Sequence, residues 1–254
     1  MIGAGAGGLV TAAHARGIGL KVALIERNML GGDCLNNGCV PSKALLKCAN
    51  VAYMAKTEAK EFGIECSGVT VDFEKVMERM RKIRAQIAEN DSVERFEKSL
   101  GVNVFLGSAK FTAKDKVVVN KKELTFKKAV IATGGRPRIP NIPGLEKIPF
   151  LTSDSVFNLR QLPRRLLIIG GGPIAAELGQ AFQRLGSEVV FMIRGHKFMP
   201  REDRDMVFFV EDQLKSDGCV IRDQDEIVKI ELIRSKGQTD DGQQVIRAVF
   251  RCDD

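Results

Sequence analysis

A glycine-rich turn between a short apolar strand and a small-residue helix occurs twice in the 254-residue chain. The first copy covers residues 2–26 and the second covers residues 166–193, and each ends in a second apolar strand. Strands that alternate with helices indicate parallel sheets that are covered on both faces. The repeat therefore predicts an α/β chain with two Rossmann-like, three-layer dinucleotide-binding domains.

The first turn carries the spacing Gly-x-Gly-x-x-Gly at Gly3, Gly5 and Gly8, and Glu26 ends the strand that follows the helix. Glycines let a pyrophosphate approach the backbone, and the helix N-terminus offers free amides and positive dipole charge. Glu26 would accept hydrogen bonds from an adenosine ribose. We count its neighbour Arg27 among the candidate cofactor-binding residues. A merely structural turn is the alternative, but strand, helix and acid together favour a dinucleotide site.

The second turn places Gly170, Gly172 and Ala175 in the same roles. Its second strand ends at Arg194, where an NAD site usually offers an acid. Arg194 could pair with the 2′-phosphate of NADP, and Arg201 could close on the same phosphate. The alternative is that both are exposed basic residues on a loop. We predict NADP rather than NAD.

Cys34 and Cys39 share one short turn, separated by four residues. Zinc binding needs about four ligands, and neither His14 nor His196 is nearby in sequence. Pro41 suits the first turn of a helix, where dipole and free amides would stabilise a Cys39 thiolate. A reversible disulfide is predicted, with two inert thiols as the alternative. We expect buried or inert thiols at the other four cysteines: Cys48, Cys66, Cys219 and Cys252.

The formal charge of +7 raises the possibility of nucleic-acid binding, but basic and acidic residues are interleaved. The chain has one tyrosine and no tryptophan, so these residue types provide few surfaces on which nucleic-acid bases could stack. No apolar run approaches the roughly 20 residues that span a bilayer. We therefore predict a soluble protein, cytoplasmic or organellar, with no nucleic-acid partner, no membrane partner and no metal site.

Between the two glycine turns, residues 73–100 read as one or two helices whose apolar stripe packs into a core, although a partner-binding helix is an alternative. Short strands are expected at 102–106, 117–119, 124–126 and 129–132, with a hairpin turn at Lys121 and Lys122. A proline-rich stretch follows. We place an FAD-binding domain with helical and hairpin insertions at 1–150. The NAD(P)-binding domain is placed at 151–254.

The chain resembles the flavoprotein disulfide reductases, which include glutathione reductase, dihydrolipoamide dehydrogenase and mercuric reductase. The resemblance rests on the Gly-Gly-x-Cys-Leu-Asn-x-Gly-Cys-Val-Pro-Ser-Lys pattern at 31–43 and on both glycine turns. Ala132-Thr133-Gly134 and Glu177 also match. Essentially all 254 residues fall within the family pattern, and the middle region is most similar to the mercuric reductase branch.

The resemblance implies a role for each matching residue. Cys39 would be the flavin-proximal cysteine and Cys34 the interchange cysteine that meets the substrate. Lys43 would lie by the flavin N5, with Glu177 as its ion-pair partner. The resemblance places further residues at the FAD: Gly32, Ala109, Thr133 and Gly134.

The implied activity passes electrons from NADPH through FAD to the Cys34–Cys39 disulfide, and then to a small-molecule disulfide or a metal ion. The full-length form would be a homodimer. One alternative is an NAD-linked dihydrolipoamide dehydrogenase, against which Arg194 argues. A non-catalytic flavin-binding fragment or interaction module is another, against which the retained cysteines, Lys43 and Glu177 argue.

Three departures from the family pattern stand out. The family has a whole strand before the first glycine turn, where this chain offers Met1 and Ile2. Asp33 replaces the usual threonine, and we expect its carboxylate to disfavour a Cys34 thiolate. The second FAD segment, the dimer domain and the catalytic His-Glu pair lie beyond Asp254 in the family. Both domains would then be incomplete, and we expect this chain alone not to complete disulfide reduction.

Overall fold

The computed structural model describes residues 1–193, 195, 197–223, 225–234 and 245–252. Its helices are α1 (Ala6–Gly17), α2 (Gly32–Asn36), α3 (Cys39–Tyr53), α4 (Phe73–Ala88), α5 (Pro173–Leu185) and α6 (Arg204–Ser216). Its strands are β1 (Ala23–Glu26), β2 (Asn103–Leu106), β3 (Lys110–Ala113), β4 (Lys116–Val119), β5 (Lys122–Thr125), β6 (Arg165–Ile169), β7 (Glu188–Met192), β8 (Val220–Arg222), β9 (Asp225–Arg234) and β10 (Val245–Cys252). Short 3-10 segments and π-helical turns lie at Met54–Glu58, Ala59–Phe62, Glu89–Asp91, Arg95–Ser99, Leu145–Lys147 and Val156–Asn158.

The chain divides into two compact units. One comprises Met1–Lys43 with Arg79–Pro137, and the other comprises Ala44–Glu78 with Arg138–Asp254. The units are defined by packing, so they do not show which cofactor each one binds. The cofactor assignment of 1–150 and 151–254 stays a prediction.

A short parallel pairing of strands forms the centre of the first unit. β1 pairs in parallel with β2, and Ile2 bridges Ile25 on one side and Ile131 on the other. The Ile2 N–H donates to the Val130 carbonyl at 2.9 Å. A buried apolar cluster lies against this arrangement: Ala4, Leu9, Ala12, Val22, Leu24, Phe96 and Val102. The parallel pairing agrees with the α/β fold predicted from the repeat.

Helix α1 follows the first glycine turn, with Gly5 as its N-cap. Leu9 and Ala12 are buried, so one face of α1 packs onto the core. His14 is exposed, with its Nδ1 2.9 Å from the Val10 carbonyl oxygen. His14 therefore lies on the surface of α1.

β3, β4 and β5 form an antiparallel sheet in the order β3-β4-β5. The turn between β4 and β5 has positive φ angles of 48° at Asn120 and 65° at Lys121, as a two-residue hairpin turn requires. The predicted hairpin is confirmed, one residue earlier than expected. Strand β3 was not predicted, and the expected strand at 129–132 is limited to the bridge at Ile131.

The second unit contains the parallel sheet β6-β7-β8. Helix α5 connects β6 to β7 and helix α6 connects β7 to β8, which gives two consecutive strand–helix–strand units. Phe182, Phe191 and Leu214 are fully buried between these elements. The antiparallel pair β9–β10 was not anticipated from the sequence.

Helix α4 begins the region predicted to be helical at 73–100. Of the predicted apolar stripe, Met80 is fully buried, Val76 and Ile83 are half-buried, and Ile87 is 37% exposed. Most of the stripe thus packs into a core, as expected. Within the described part of the chain, no helix combines the length and apolar character that crossing a membrane requires.

Candidate functional site

Three backbone turns of the first unit lie against one another: 3–8, 31–32 and 132–134. Gly3 has φ +100°, and a Cβ at this position would overlap the Ala132 carbonyl oxygen. Gly32 has φ +54°, and its Cβ would lie 2.5 Å from the Gly5 Cα. Only glycine fits at both positions. The result is a cradle that is lined by backbone and admits no side chain at these points.

The N-terminus of α1 opens at this cradle. Gly5, its N-cap, provides no side-chain cap, and Ala6 and Gly7 are exposed. The first amides of a helix lack intrahelical acceptors and carry positive dipole charge. An uncapped, exposed helix start beside a glycine cradle suits a phosphate group.

Glu26 is tied to the same cradle by both carboxylate oxygens. The Ala4 N–H donates to Oε2 at 2.7 Å, and the Asn28 N–H donates to Oε1 at 2.8 Å. Each oxygen keeps a lone pair for a further donor. Glu26 is therefore held at the end of β1 with acceptor capacity left for further donors, and its use for a ribose stays a prediction. Its neighbour Arg27 is exposed.

The cysteine pair lies at the next turn of the same unit. Cys34 is in α2, and Cys39 is the first residue of α3. The Ser42 N–H donates to the Gly38 carbonyl at 3.0 Å, which closes the first turn of α3 around Cys39. Both cysteines are free thiols, and their side chains lie close enough to interact. The fold therefore brings the two thiols together at a helix start, and their reversible oxidation to a disulfide stays a prediction.

The side-chain interaction with Cys39 raises the pKa of the Cys34 thiol most, and partial burial raises it further. The negative charges of Cys39 and Asp91 add smaller increases, which a backbone hydrogen bond from Cys39 offsets in part. A Cys34 thiolate is disfavoured, and the Asp91 carboxylate is one of the groups that raise the Cys34 pKa. The effect expected from Asp33 stays a prediction. Burial in turn raises the pKa of Asp91, while nearby Arg95 lowers it.

Hydrogen bonds hold the loop that carries Cys34. The Asn36 side-chain amide donates to the Leu30 and Gly32 carbonyls at 3.0 and 2.9 Å. Arg84 on α4 donates through Nη1 to the Asn36 carbonyl at 3.1 Å. The spacing of the two thiols is therefore fixed by contacts on both sides of α2.

The second glycine turn lies in the other unit. The Gly170 N–H donates to the Met192 carbonyl at 2.8 Å, and Gly170 has φ +124°. Gly172 caps α5 at its N-terminus with Pro173 as the first helical residue, and Ala175 is half-buried. The strand–glycine turn–helix order is as predicted. Use of this turn for a nicotinamide nucleotide stays a prediction.

The remaining candidates are placed as follows. Lys43 is exposed in the first unit and Glu177 half-buried in the second, and their pairing stays a prediction. Arg201 is exposed just before α6, whereas Arg194 and His196 lie outside the described residues. Ala109 packs against the buried cluster of Ile25, Val117 and Val119. In the third turn, Thr133 and Gly134 are exposed.

Sequence reasoning missed residues that shape the site. Gly31 has φ +88°, and its N–H donates to the Ala4 carbonyl at 2.8 Å, which joins two of the turns. The consecutive pair Gly31-Gly32 was the available signal. No sequence signal indicated Asp91, because its proximity to Cys34 arises from tertiary folding.

The other cysteines differ from this pair. Burial raises the pKa of Cys219 to about 12, so its thiol is inert, as expected. Cys48 is half-buried and Cys66 is exposed, and the side chain of Cys252 lies outside the described residues. Among the residues that the structure describes, no three histidine, cysteine or acidic side chains are grouped so as to hold a metal ion.

A family model described as pyridine nucleotide-disulphide oxidoreductase matches residues 1–252. The chain is 35% identical over 218 residues to a mercuric reductase of Lysinibacillus sphaericus. This match covers 86% of this chain and 40% of that protein. It is also 35% identical over 236 residues to a dihydrolipoyl dehydrogenase of Acholeplasma laidlawii, covering 91% of this chain and 69% of that protein.

A solved structure shares the fold. It is the Cu(II) complex of the HOCl-induced flavoprotein disulfide reductase RclA from Escherichia coli, with a TM-score of 0.79 and 27% sequence identity. The match covers 96% of this chain and 53% of the RclA chain. This chain therefore spans about half the length of RclA, and less than half of the mercuric reductase.

Proposed function

The chain belongs to the pyridine nucleotide-disulphide oxidoreductase family, and from that premise we propose that it carries electrons from NADPH through FAD to the Cys34–Cys39 pair. A disulfide or a metal ion would be the final acceptor. The observation that carries this proposal is the contact between the two thiols at the start of α3, in the same unit as the glycine cradle.

Members of this family are flavoproteins that use FAD with NAD(P)H. The first unit fits FAD, because a backbone-lined cradle and an uncapped helix start suit its pyrophosphate, and Glu26 suits its ribose. When bound, FAD supplies a two-electron carrier between the nicotinamide and the cysteines. Further residues proposed to hold it are Arg27, Gly32, Lys43, Ala109, Thr133 and Gly134.

The cysteine pair can perform the exchange with a disulfide substrate. The Cys34 sulfur attacks one substrate sulfur, the substrate S–S bond breaks and one substrate thiol leaves. Cys39 then attacks Cys34 in the mixed disulfide, which forms the Cys34–Cys39 bond and releases the second thiol. Two electrons and two protons pass from the protein thiols to the substrate. Cys39 is the more exposed thiol, so the assignment of Cys34 to the substrate rests on the family resemblance.

A soft metal ion is the acceptor that we favour. The mercuric reductase relative acts on such an ion, and the RclA structure is a Cu(II) complex. Two adjacent thiols are suitable ligands for soft metals. The second candidate is a lipoamide-type disulfide, favoured by the similarity to dihydrolipoyl dehydrogenase, of which the chain covers a larger share. For the full-length protein we propose the homodimer that is typical of the family.

The nucleotide is proposed to be NADPH because Arg194 ends the segment where an NAD site carries an acid. Arg201 is exposed and available as a second partner for the 2′-phosphate. Replacing Arg194 by Glu should weaken NADPH binding roughly tenfold or more and leave NADH binding unchanged or improved. Equal effects on both nucleotides would contradict the preference.

A single-turnover experiment tests the proposed function. The oxidised chain is loaded with FAD, mixed anaerobically with NADPH, alkylated and analysed by peptide mass spectrometry. We expect Cys34 and Cys39 to become alkylated together. A control sample to which no NADPH is added should show no such alkylation. In the full-length protein, addition of Hg(II), lipoamide or glutathione disulfide before alkylation should restore the disulfide only with the true acceptor. FAD binding without any gain of thiols would contradict the proposal.

A further inference from the structure

Asp33 places a carboxylate at the junction of the three turns. It follows Gly32, whose backbone packs against Gly5 at the start of α1. Its Oδ2 lies 3.9 Å from the point that a Cβ on Gly134 would occupy. The carboxylate therefore reaches from the second turn to the third, along the edge of the cradle.

Among the described residues, no lysine or arginine forms an ion pair with the Asp33 carboxylate. The Asp33 side chain is exposed to solvent. Consecutive Cα atoms are about 3.8 Å apart, which places the Asp33 backbone one residue from the Gly5–Gly32 contact. Any anion seated on the α1 N-terminus thus lies within about one Debye length, roughly 8 Å, of this charge.

We infer that Asp33 weakens the binding of FAD to this chain by opposing the negative charge of the pyrophosphate. The inference rests on the proposed function, since it concerns the same cradle. Two like charges at this separation repel measurably, and solvent exposure and salt reduce the effect without abolishing it. In this inference Asp33 acts on cofactor affinity.

Asp33 also makes a favourable contribution to the stability of the cysteine loop, and this contribution is small. As an acid in the first turn of α2 it interacts favourably with the helix N-terminus, but α2 has only five residues. Its backbone carbonyl, which accepts the Asn37 N–H at 2.8 Å, is unaffected by a change of side chain. Asparagine and threonine at this position should therefore preserve the fold of the cysteine loop.

The experiment is a titration of FAD with the full purified chain at low and high salt. Binding is monitored by the quenching of flavin fluorescence. Asp33→Asn removes the charge at constant shape, and Asp33→Thr removes it with a smaller side chain. Asp115→Asn, in the exposed turn between β3 and β4, is the matched control for net charge. We expect both Asp33 variants to bind FAD roughly tenfold more tightly than the natural chain at low salt, with a smaller gain at high salt.

Unchanged affinity in Asp33→Asn, with the fold verified by circular dichroism, would overturn the inference. Tighter binding in Asp33→Thr alone would also overturn it, because shape or the hydroxyl would then be responsible. An equal gain in Asp115→Asn would point to net charge instead and would count against a local effect. Absence of FAD binding by all four folded proteins would reject the proposed function itself, and the inference with it.

Discussion

Groups that the fold brings to Cys34 raise the pKa of its thiol. The Cys39 thiol supplies the strongest effect and the Asp91 carboxylate a weaker one, both raising the Cys34 pKa. Asp33 is adjacent in sequence, and its carboxylate lies near Gly134. The effect of Asp91 could not be read from sequence adjacency, because Asp91 is distant from Cys34 along the chain.

The Cys34 pKa can be tested by substitution. Cys39→Ser removes the thiol that holds the proton on Cys34, so the Cys34 pKa should fall. Asp91→Asn removes a weaker opposing charge, so the pKa should fall by less. The measurement is the pH dependence of iodoacetamide alkylation, read at Cys34 by peptide mass spectrometry so that exposed Cys66 does not interfere. Because the thiolate is the reactive form, both midpoints should move to lower pH.

A midpoint that stays in place in Cys39→Ser, or that rises in Asp91→Asn, would contradict this account of Cys34. Asp115→Asn removes an exposed carboxylate elsewhere in the same unit and serves as the control. Its midpoint should match that of the natural chain.

At this scale the sequence was informative about residue types with fixed spacing. The cradle glycines, Glu26 and the two cysteines were predicted because backbone clearance, ribose recognition and thiol exchange each require a particular side chain. Gly31 and Asp91 were not predicted, since their contacts depend on how distant segments pack.

Close packing of α5 on the parallel sheet depends on Gly179. A Cβ at this position would overlap the Phe191 ring and lie 3.0 Å from the Ile168 Cδ1. Gly179→Ala should therefore destabilise the second unit by about 1–3 kcal/mol, because the helix or the ring must shift. Urea denaturation measures the change, and Phe191→Leu in the same chain should recover part of it. An unchanged or increased stability in Gly179→Ala would contradict the packing described.

Helices α5 and α6 are joined by a buried ion pair. Arg184 donates through Nε and Nη2 to the carboxylate of Asp217, just beyond α6, at 2.7 and 3.3 Å, and Gln180 and Gln213 also donate to it. The Asp217 side chain is fully buried and that of Arg184 is 13% exposed.

Removing one partner leaves the other charge buried and unpaired. Asp217→Ala should cost about 3–5 kcal/mol of unfolding free energy. Lys98→Ala, which breaks an exposed pair with Glu94, should change little in the same urea titration. Similar losses in both variants would show that burial does not govern the energy of these pairs.

At the scale of elements, periodicity predicted the two strand–turn–helix repeats and the hairpin at β4 and β5. It did not predict β3 or the pair β9–β10, although Val228, Ile230 and Leu232 alternate with charged residues in β9. The expected strand at 129–132 is limited to the bridge between Ile131 and Ile2.

At the scale of the whole molecule, the features proposed for FAD and the cysteine pair belong to one unit, and the second glycine turn belongs to the other. The family membership and the α/β fold were predicted from the sequence and confirmed by comparison. The Lys43–Glu177 pair and the NADP preference stay predictions, the first because it joins residues of different units and the second because Arg194 lies outside the described residues.

The visible absorption spectrum of the FAD-loaded chain during anaerobic two-electron reduction tests the central claim most directly. A long-wavelength band should appear, should persist in Cys34→Ser and should be absent in Cys39→Ser, because Cys39 is proposed to face the flavin. A flavin-containing chain that shows no such band, or a band that survives in Cys39→Ser, would contradict the proposed redox centre.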